Sequence, residues 1–335
     1  MPLTQPSRTG RITLLIAIAA AASTPPASAQ VLPPATRPAA PLEGPGSIHM
    51  LHLGDDVYIE LIELPMGEFL MGSPTGTGGD DERPRRRVRI EHIVRMGRYE
   101  VTVAQFRQFV AETGYQTEAE KNGTARTYHP VRGWEETRGI HWRNPGFPQT
   151  DDHPVVCVSW NDAQAFCLWV TRHTDTAVTL PSEAEWEYAA SAAQARIYPW
   201  GNHWPPTARD ANLADLSARR HFGDPFGIVD DSFDDGYPFT APVGRFEPNP
   251  FGLYDLAGNV WEWCEDAYFN SYAGAPLDGR AVGAEARSRV LRGGSWNYSI
   301  RRLLRTAYRD FDAPTYRDPY TGFRIVARSA PPKQP

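Results

Sequence analysis

Three stretches of the chain carry apolar residues at the spacing of a helix that buries one face. Thr102 stands at the N-cap of the first with Gln105 three residues on, the spacing of a capping box; Phe106, Phe109 and Val110 form its stripe and Gly114 ends it. Ser159 with Asp162 opens the second, which sets Ala163, Phe166, Cys167 and Val170 on one face. Ser182 with Glu185 opens the third, whose Trp186 and Ala189 or Ala190 face inward. Shorter β-prone runs flank these helices at residues 58–64, 88–96, 290–292 and 322–327. From Trp200 to Trp263, Gly, Pro, Asn, Asp and aromatic residues dominate, and periodicity there is too weak to assign a regular element. A loop segment of that length in a compact domain needs something local to order it, and a bound metal ion would do so.

The N-terminus reads differently. Arg8 and Arg11 precede a nearly unbroken apolar run from Ile12 to Ala22, and Ala27-Ser28-Ala29 supplies the small residues a signal peptidase reads. The run falls short of the roughly 20 apolar residues a membrane span needs. Residues 1–29 are therefore expected to be a cleaved signal peptide, 30–46 a Pro- and Ala-rich tether, and 47–330 one large domain, periplasmic or secreted, with no membrane span after cleavage. Hydrophobic content of 41% and 22% charged residues suit a soluble globule. A net charge of -6 argues against nucleic acid as a partner. Cys157, Cys167 and Cys264 are too few for a disulfide scaffold, and an odd count leaves at least one thiol unpaired.

Familiar catalytic patterns do not occur: there is no His-Glu-x-x-His, no Cys-x-x-Cys and no Gly-x-Ser-x-Gly. One segment does suggest a hard cation. Asp255 and Glu262 bracket a glycine-bearing turn, so two carboxylates and the carbonyls between them can converge on calcium, which takes six to eight oxygens.

The chain also carries an ordered series of motifs. Gly67-Glu68-Phe69-Leu70-Met71-Gly72-Ser73, Tyr99-Glu100-Val101-Thr102 and Val158-Ser159-Trp160-Asn161-Asp162-Ala163 precede Leu180-Pro181-Ser182-Glu183-Ala184-Glu185-Trp186-Glu187-Tyr188-Ala189. Gly252-Leu253-Tyr254-Asp255-Leu256-Ala257-Gly258-Asn259-Val260-Trp261-Glu262-Trp263, Arg292-Gly293-Gly294-Ser295-Trp296 and Gly322-Phe323-Arg324 follow. Together they resemble the formylglycine-generating enzyme, or sulfatase-modifying factor, family. The resemblance implies an α+β single domain of the C-type lectin-like type, with little regular secondary structure and long ordered loops. It also implies two structural calcium sites. One maps to the Asp255 and Glu262 side chains with the Gly258 and Val260 carbonyls, the other to the Asn212 and Asp235 side chains with the Leu213 and Tyr237 carbonyls.

At the reaction centre the resemblance fails. Family members that oxidise a sulfatase cysteine bind copper(I) through two thiolates five residues apart, just after the Gly-Gly-Ser-aromatic turn. Those positions hold Tyr298 and Leu303 here, neither of which supplies the soft ligand copper(I) prefers, so no copper is expected. Ser295, Trp296 and Arg305 match family positions around the centre, and with Tyr298 they are the pocket candidates: Ser295 to orient a ligand, Arg305 to pair with a carboxylate, and the two aromatic rings as a stacking wall or as core. Arg301, Arg302, Arg305 and Arg309 either bind an anion or pair with the chain's acids. Three functions stay open. One is maturation of an exported protein, peptide or metabolite without copper, as in family relatives that mature a siderophore chromophore. Another is a calcium-stabilised, non-catalytic lectin-like binding module, and the third is a formylglycine-generating oxidase.

Overall fold

The computed structural model describes residues 46–329 apart from 55, 130–132, 224–228 and 284–286. The signal peptide and nearly all of the tether expected from the sequence lie outside the described residues. No helix among the described residues is long and apolar enough to cross a membrane.

The described residues form five α-helices: α1 (Val103–Thr113), α2 (Glu118–Asn122), α3 (Trp160–Thr174), α4 (Glu183–Ser191) and α5 (Leu216–Phe222). The capping boxes at Thr102, Ser159 and Ser182 all form, each hydroxyl accepting from the backbone three residues on. Gly114 ends α1 in the left-handed conformation. Phe106 and Phe109 of α1 pack on Phe166 of α3, and Phe323 closes this aromatic core from the far end of the chain.

The strands among the described residues form four sheets. The largest runs Ile48–His52, Tyr58–Glu63, Ile93–Gly97, Val326–Ser329, Val178–Thr179, with every pairing antiparallel. A four-stranded sheet runs Asp310–Asp312, Arg289–Arg292, Trp261–Ala267, Thr321–Gly322, the last pair parallel. Gly67–Met71 with Arg86–Ile90, and Thr124–His129 with Gly133–Arg138, form two ribbons.

Three readings of the sequence need correction. Residues 88–96 are not one strand. Arg86–Ile90 pairs with Gly67–Met71, and after a corner at Glu91 and His92 the strand Ile93–Gly97 enters the large sheet. Val88, Ile90, Val94 and Met96 are all buried, so the period of two runs straight through the corner and hides it. Residues 322–327 likewise divide between two sheets, and the crossing places Arg324 in the buried space between them. The long loop region contains α5, which Asp215 caps through Ser217 N (2.8 Å) and which ends at Gly223. Seven residues are too few to show a stripe, but the Asp cap and the basic last turn of Arg219, Arg220 and His221 were there to read.

Candidate functional site

Helix α4 is buried on every side, although it carries three glutamates. Each carboxylate receives an arginine from a different part of the C-terminal third. Arg309 grips Glu183 with two hydrogen bonds of 2.6 and 2.8 Å, and Arg328 grips Glu185 at 2.7 and 2.6 Å. Arg292 pairs with Glu187, whose other oxygen accepts from Gly72 N at 2.7 Å. Buried charges survive only when paired in this way. The acidic helix thus fixes the positions of Arg292, Arg309 and Arg328, and through them the segments leading into and out of the Gly-Gly-Ser turn.

Glu185 shows the energetic consequence. Burial alone would raise its carboxyl, but the Arg328 and His92 hydrogen bonds outweigh burial and hold it at about 2, against an ordinary 4.5. A depressed carboxyl stabilises the fold above its unfolded value and loses that contribution as pH falls through the folded one. Glu185→Gln keeps the side-chain shape and the helix cap but removes the charge. It is expected to cost about 3 kcal/mol near neutral pH. Urea titrations should show the deficit intact down to about pH 4.5 and nearly gone at about pH 2. A deficit that ignores pH would assign it to packing.

Of the pocket candidates, Ser295 is buried and donates to Asn297 Oδ1 at 2.6 Å. Trp296 and Tyr298 are each only 1% exposed. Trp296 packs among Phe147, Phe239 and Tyr320, and Tyr298 packs beside Trp261. Both rings are placed in the core and not along an open wall. Leu303 is buried as well, so the two positions that hold thiolates in copper enzymes present a phenol and an isobutyl group to the interior. Gly294, at φ +81°, sits so close to Leu304 that a Cβ would lie 2.7 Å from it, which seals the turn. The three cysteines are free and buried, and burial pushes each thiol up, away from the thiolate that a metal would need.

Arg305 is in a different position. It lines an open cleft of about 540 Å³ with Arg301, Arg302, Tyr198 and Leu70, while its own guanidinium makes two bonds to Glu82 (2.8 and 2.6 Å) and one to Ser73 Oγ (3.0 Å). The four-arginine stretch therefore divides: Arg305 and Arg309 pair with acids, whereas Arg301 and Arg302 stay exposed at the cleft.

The oxygen-rich loops meet one another. Asn259 N donates to Asn212 O at 2.9 Å, and Asn212 Nδ2 donates to Asn259 Oδ1 at 3.1 Å. Asp235 reaches between the other two residues of its set, accepting from Leu213 N and Tyr237 N at 2.8 Å each. Asn212 Oδ1 is buried with no hydrogen-bond partner, and burial with Asp215 nearby pushes the Asp235 carboxyl well up. A buried amide oxygen without a partner beside a desolvated carboxylate is the kind of oxygen donor that calcium takes. At the other loop Asp255 Oδ1 is also a buried oxygen without a partner, and burial raises its carboxyl to about 6. Glu262, by contrast, is fully engaged: Arg324 binds both its oxygens at 2.6 Å and Trp186 Nε1 donates at 2.8 Å. Among the described residues no three His, Cys, Asp or Glu side chains converge on a metal position, so amide and backbone oxygens would have to complete either site. Sequence reasoning missed Glu100 and Arg324. Glu100 accepts from Asn259 Nδ2 at 3.2 Å and leaves Oε1 buried without a partner, and the Arg324 guanidinium is set among Glu100, Asp255 and Glu262. The Tyr-Glu-Val-Thr and Gly-Phe-Arg motifs were the available signal.

This scaffold, in which an acidic helix locks a Gly-Gly-Ser turn beside two oxygen-rich loops, defines a class, and comparison with known proteins gives its membership. Residues 56–329 match the sulfatase-modifying factor enzyme 1-like domain, and the chain belongs to that family. It is 37% identical over 297 residues to a formylglycine-generating enzyme of Thermomonospora curvata, covering 80% of this chain and 93% of the relative. It is 34% identical over 310 residues to the inactive C-alpha-formylglycine-generating enzyme 2 of Mus musculus, covering 85% and 91%. Among solved structures, PvdO from Pseudomonas aeruginosa superposes with a TM-score of 0.69 at 30% identity, covering 86% of this chain and all of that one. The α+β, loop-rich architecture expected from the sequence is the family's fold.

Proposed function

We propose that this chain is an exported sulfatase-modifying-factor protein that acts in the maturation of an exported protein, peptide or metabolite without a copper(I) dithiolate. One observation carries the reading. The family scaffold is kept throughout, but the thiolate positions hold the buried Tyr298 and Leu303, and the three cysteines are buried singly elsewhere. Export rests on the N-terminal leader. The test is reconstitution with copper(I) and an assay of a Cys-x-Pro-x-Arg peptide for aldehyde: no turnover above the metal-free control is expected, and robust turnover would overturn the reading. A relative named as inactive, at 34% identity, supports a second reading in which the same scaffold binds its client without reacting.

Calcium belongs to the proposal as a structural ion. Asn212 and Asp235 would hold it at one loop, with Leu213 and Tyr237 carbonyls. Asp255, with the Gly258 and Val260 carbonyls, would hold it at the other; Glu262, the fourth ligand expected there from the sequence, is bound through both oxygens by Arg324 and does not fit that role. When bound, the ion supplies positive charge to desolvated carboxylates and no reaction step. An ion that binds only the folded state stabilises it by about 2.7 kcal/mol at a hundredfold excess over Kd. Thermal melts with calcium and with a chelator are expected to differ by several degrees, and coincident melts would remove calcium from the proposal.

A further inference from the structure

We propose that the cleft between loop 72–77 and segment 301–307 is the client-binding site and that it recognises a short acidic peptide segment. The inference deepens the maturation reading by giving the client a chemical class, and it rests on that reading only for the word client. Leu70, Ile197, Arg85, Arg196, Arg301 and Arg302 line the cleft. Among the described residues none of these four arginines is in an ion pair. Arg301 Nε donates only to Tyr198 Oη at 3.2 Å, and Arg196 reaches Gln194 Oε1 and the Pro199 carbonyl. Elsewhere in this chain of net charge -6, arginines are commonly matched to carboxylates, as at Arg107 and Asp151 or Arg220 and Asp234.

The acids nearest the cleft offer those four arginines nothing. Both Glu82 oxygens are taken by Arg305, and Glu187 is taken by Arg292 and Gly72 N. Four guanidinium groups without counter-charges around one concavity make a field that attracts anions. The planar fork of each matches a carboxylate in a bidentate pair.

The apolar lining distinguishes a peptide from a simple anion. Leu70 is 47% exposed and Ile197 39%, large aliphatic groups left in water on the rim of the cleft. A phosphate ion would satisfy the arginines and leave both uncovered. A segment bearing carboxylates next to aliphatic side chains covers both features, and a volume of about 540 Å³ suits a few residues. The Tyr198–Trp200 stack, with ring centroids 4.8 Å apart and planes 7° apart, braces this edge from behind.

The test is fluorescence anisotropy of the purified full chain with a labelled hexapeptide of alternating Glu and Leu, against its Gln-Leu counterpart. Binding of the acidic peptide at least tenfold tighter, weakening with added salt, is expected. Arg301→Ala combined with Arg302→Ala should lower affinity at least tenfold while the melting curve stays in place, because both side chains are exposed. The doubly conservative R301K/R302K variant should fall between. Equal binding of the two peptides, or an alanine pair that binds as well as the parent, overturns the assignment. Displacement of the peptide by an equal concentration of inorganic phosphate would reduce the cleft to a general anion site and also overturns it. Binding of the acidic peptide by a chain that also turns over the Cys-x-Pro-x-Arg peptide with copper(I) would leave the cleft standing and overturn the maturation reading.

Discussion

Replacing Arg324 with Met is expected to cost about 3–5 kcal/mol of folding stability, the range found when one partner of a buried ion pair is removed. Arg324 and Glu262 are both fully buried and joined by two hydrogen bonds of 2.6 Å. Without the guanidinium, the buried Glu262 carboxyl loses its counter-charge and two hydrogen bonds, with Asp255 and Glu100 as neighbouring acids. The carbonyls of Gly97 and Tyr254 also lose a donor. For a domain of this size each kcal/mol moves Tm by roughly 2–4 °C, so a drop of roughly 10 °C is expected. The control is Glu262→Gln combined with Arg324→Met, which removes both charges. It should recover part of the loss, because an unpaired charge costs more than a missing pair. A single variant that melts within about 1 °C of the parent would mean that the pair contributes nothing net.

That pair also shows where reading the sequence stops. Helix starts were legible because a capping box is written within four residues: Thr102, Ser159 and Ser182 each announce themselves locally. Arg324 and Glu262 lie 62 positions apart, and Arg292 and Glu187 lie 105 apart. A charged residue carries no mark of its partner, so the arginine clamp on α4 is not written locally, and the helical stripe points only to Trp186 and Ala189 or Ala190 as inward-facing. The aromatic residues were ambiguous for a related reason. A tryptophan beside a reaction-centre turn serves equally as pocket wall or as core, and only the packing of Trp296 against Phe147, Phe239 and Tyr320 decides between them. The absence of the thiolates, in contrast, was visible in the sequence, because it depends on two residue types at two positions and on no long-range geometry.

Gly258→Ala is expected to be comparably damaging, by a steric route. Gly258 sits at φ +80°, in the left-handed region, where an L residue is strained by about 1–2 kcal/mol. A Cβ there would also lie 2.3 Å from the Asn212 carbonyl oxygen and 2.9 Å from a Leu213 methyl. A leucine side chain can move aside, but a backbone oxygen that accepts from Asn259 N cannot. Relief requires the two oxygen-rich loops to separate, which adds about 1–3 kcal/mol of overpacking. Gly123→Ala separates the two contributions. Its φ is +69° and a Cβ there would meet no atom within 4 Å, so it should lose only the conformational part. If calcium binds at these loops, Gly258→Ala should also weaken the chelator-sensitive part of the melt, because Asn212 and Gly258 each contribute to one of the two sites. Gly123→Ala should leave that part unchanged. Equal losses in the two variants would show that the contact with Asn212 has slack enough to take a Cβ and that the loops do not depend on this glycine for their close approach.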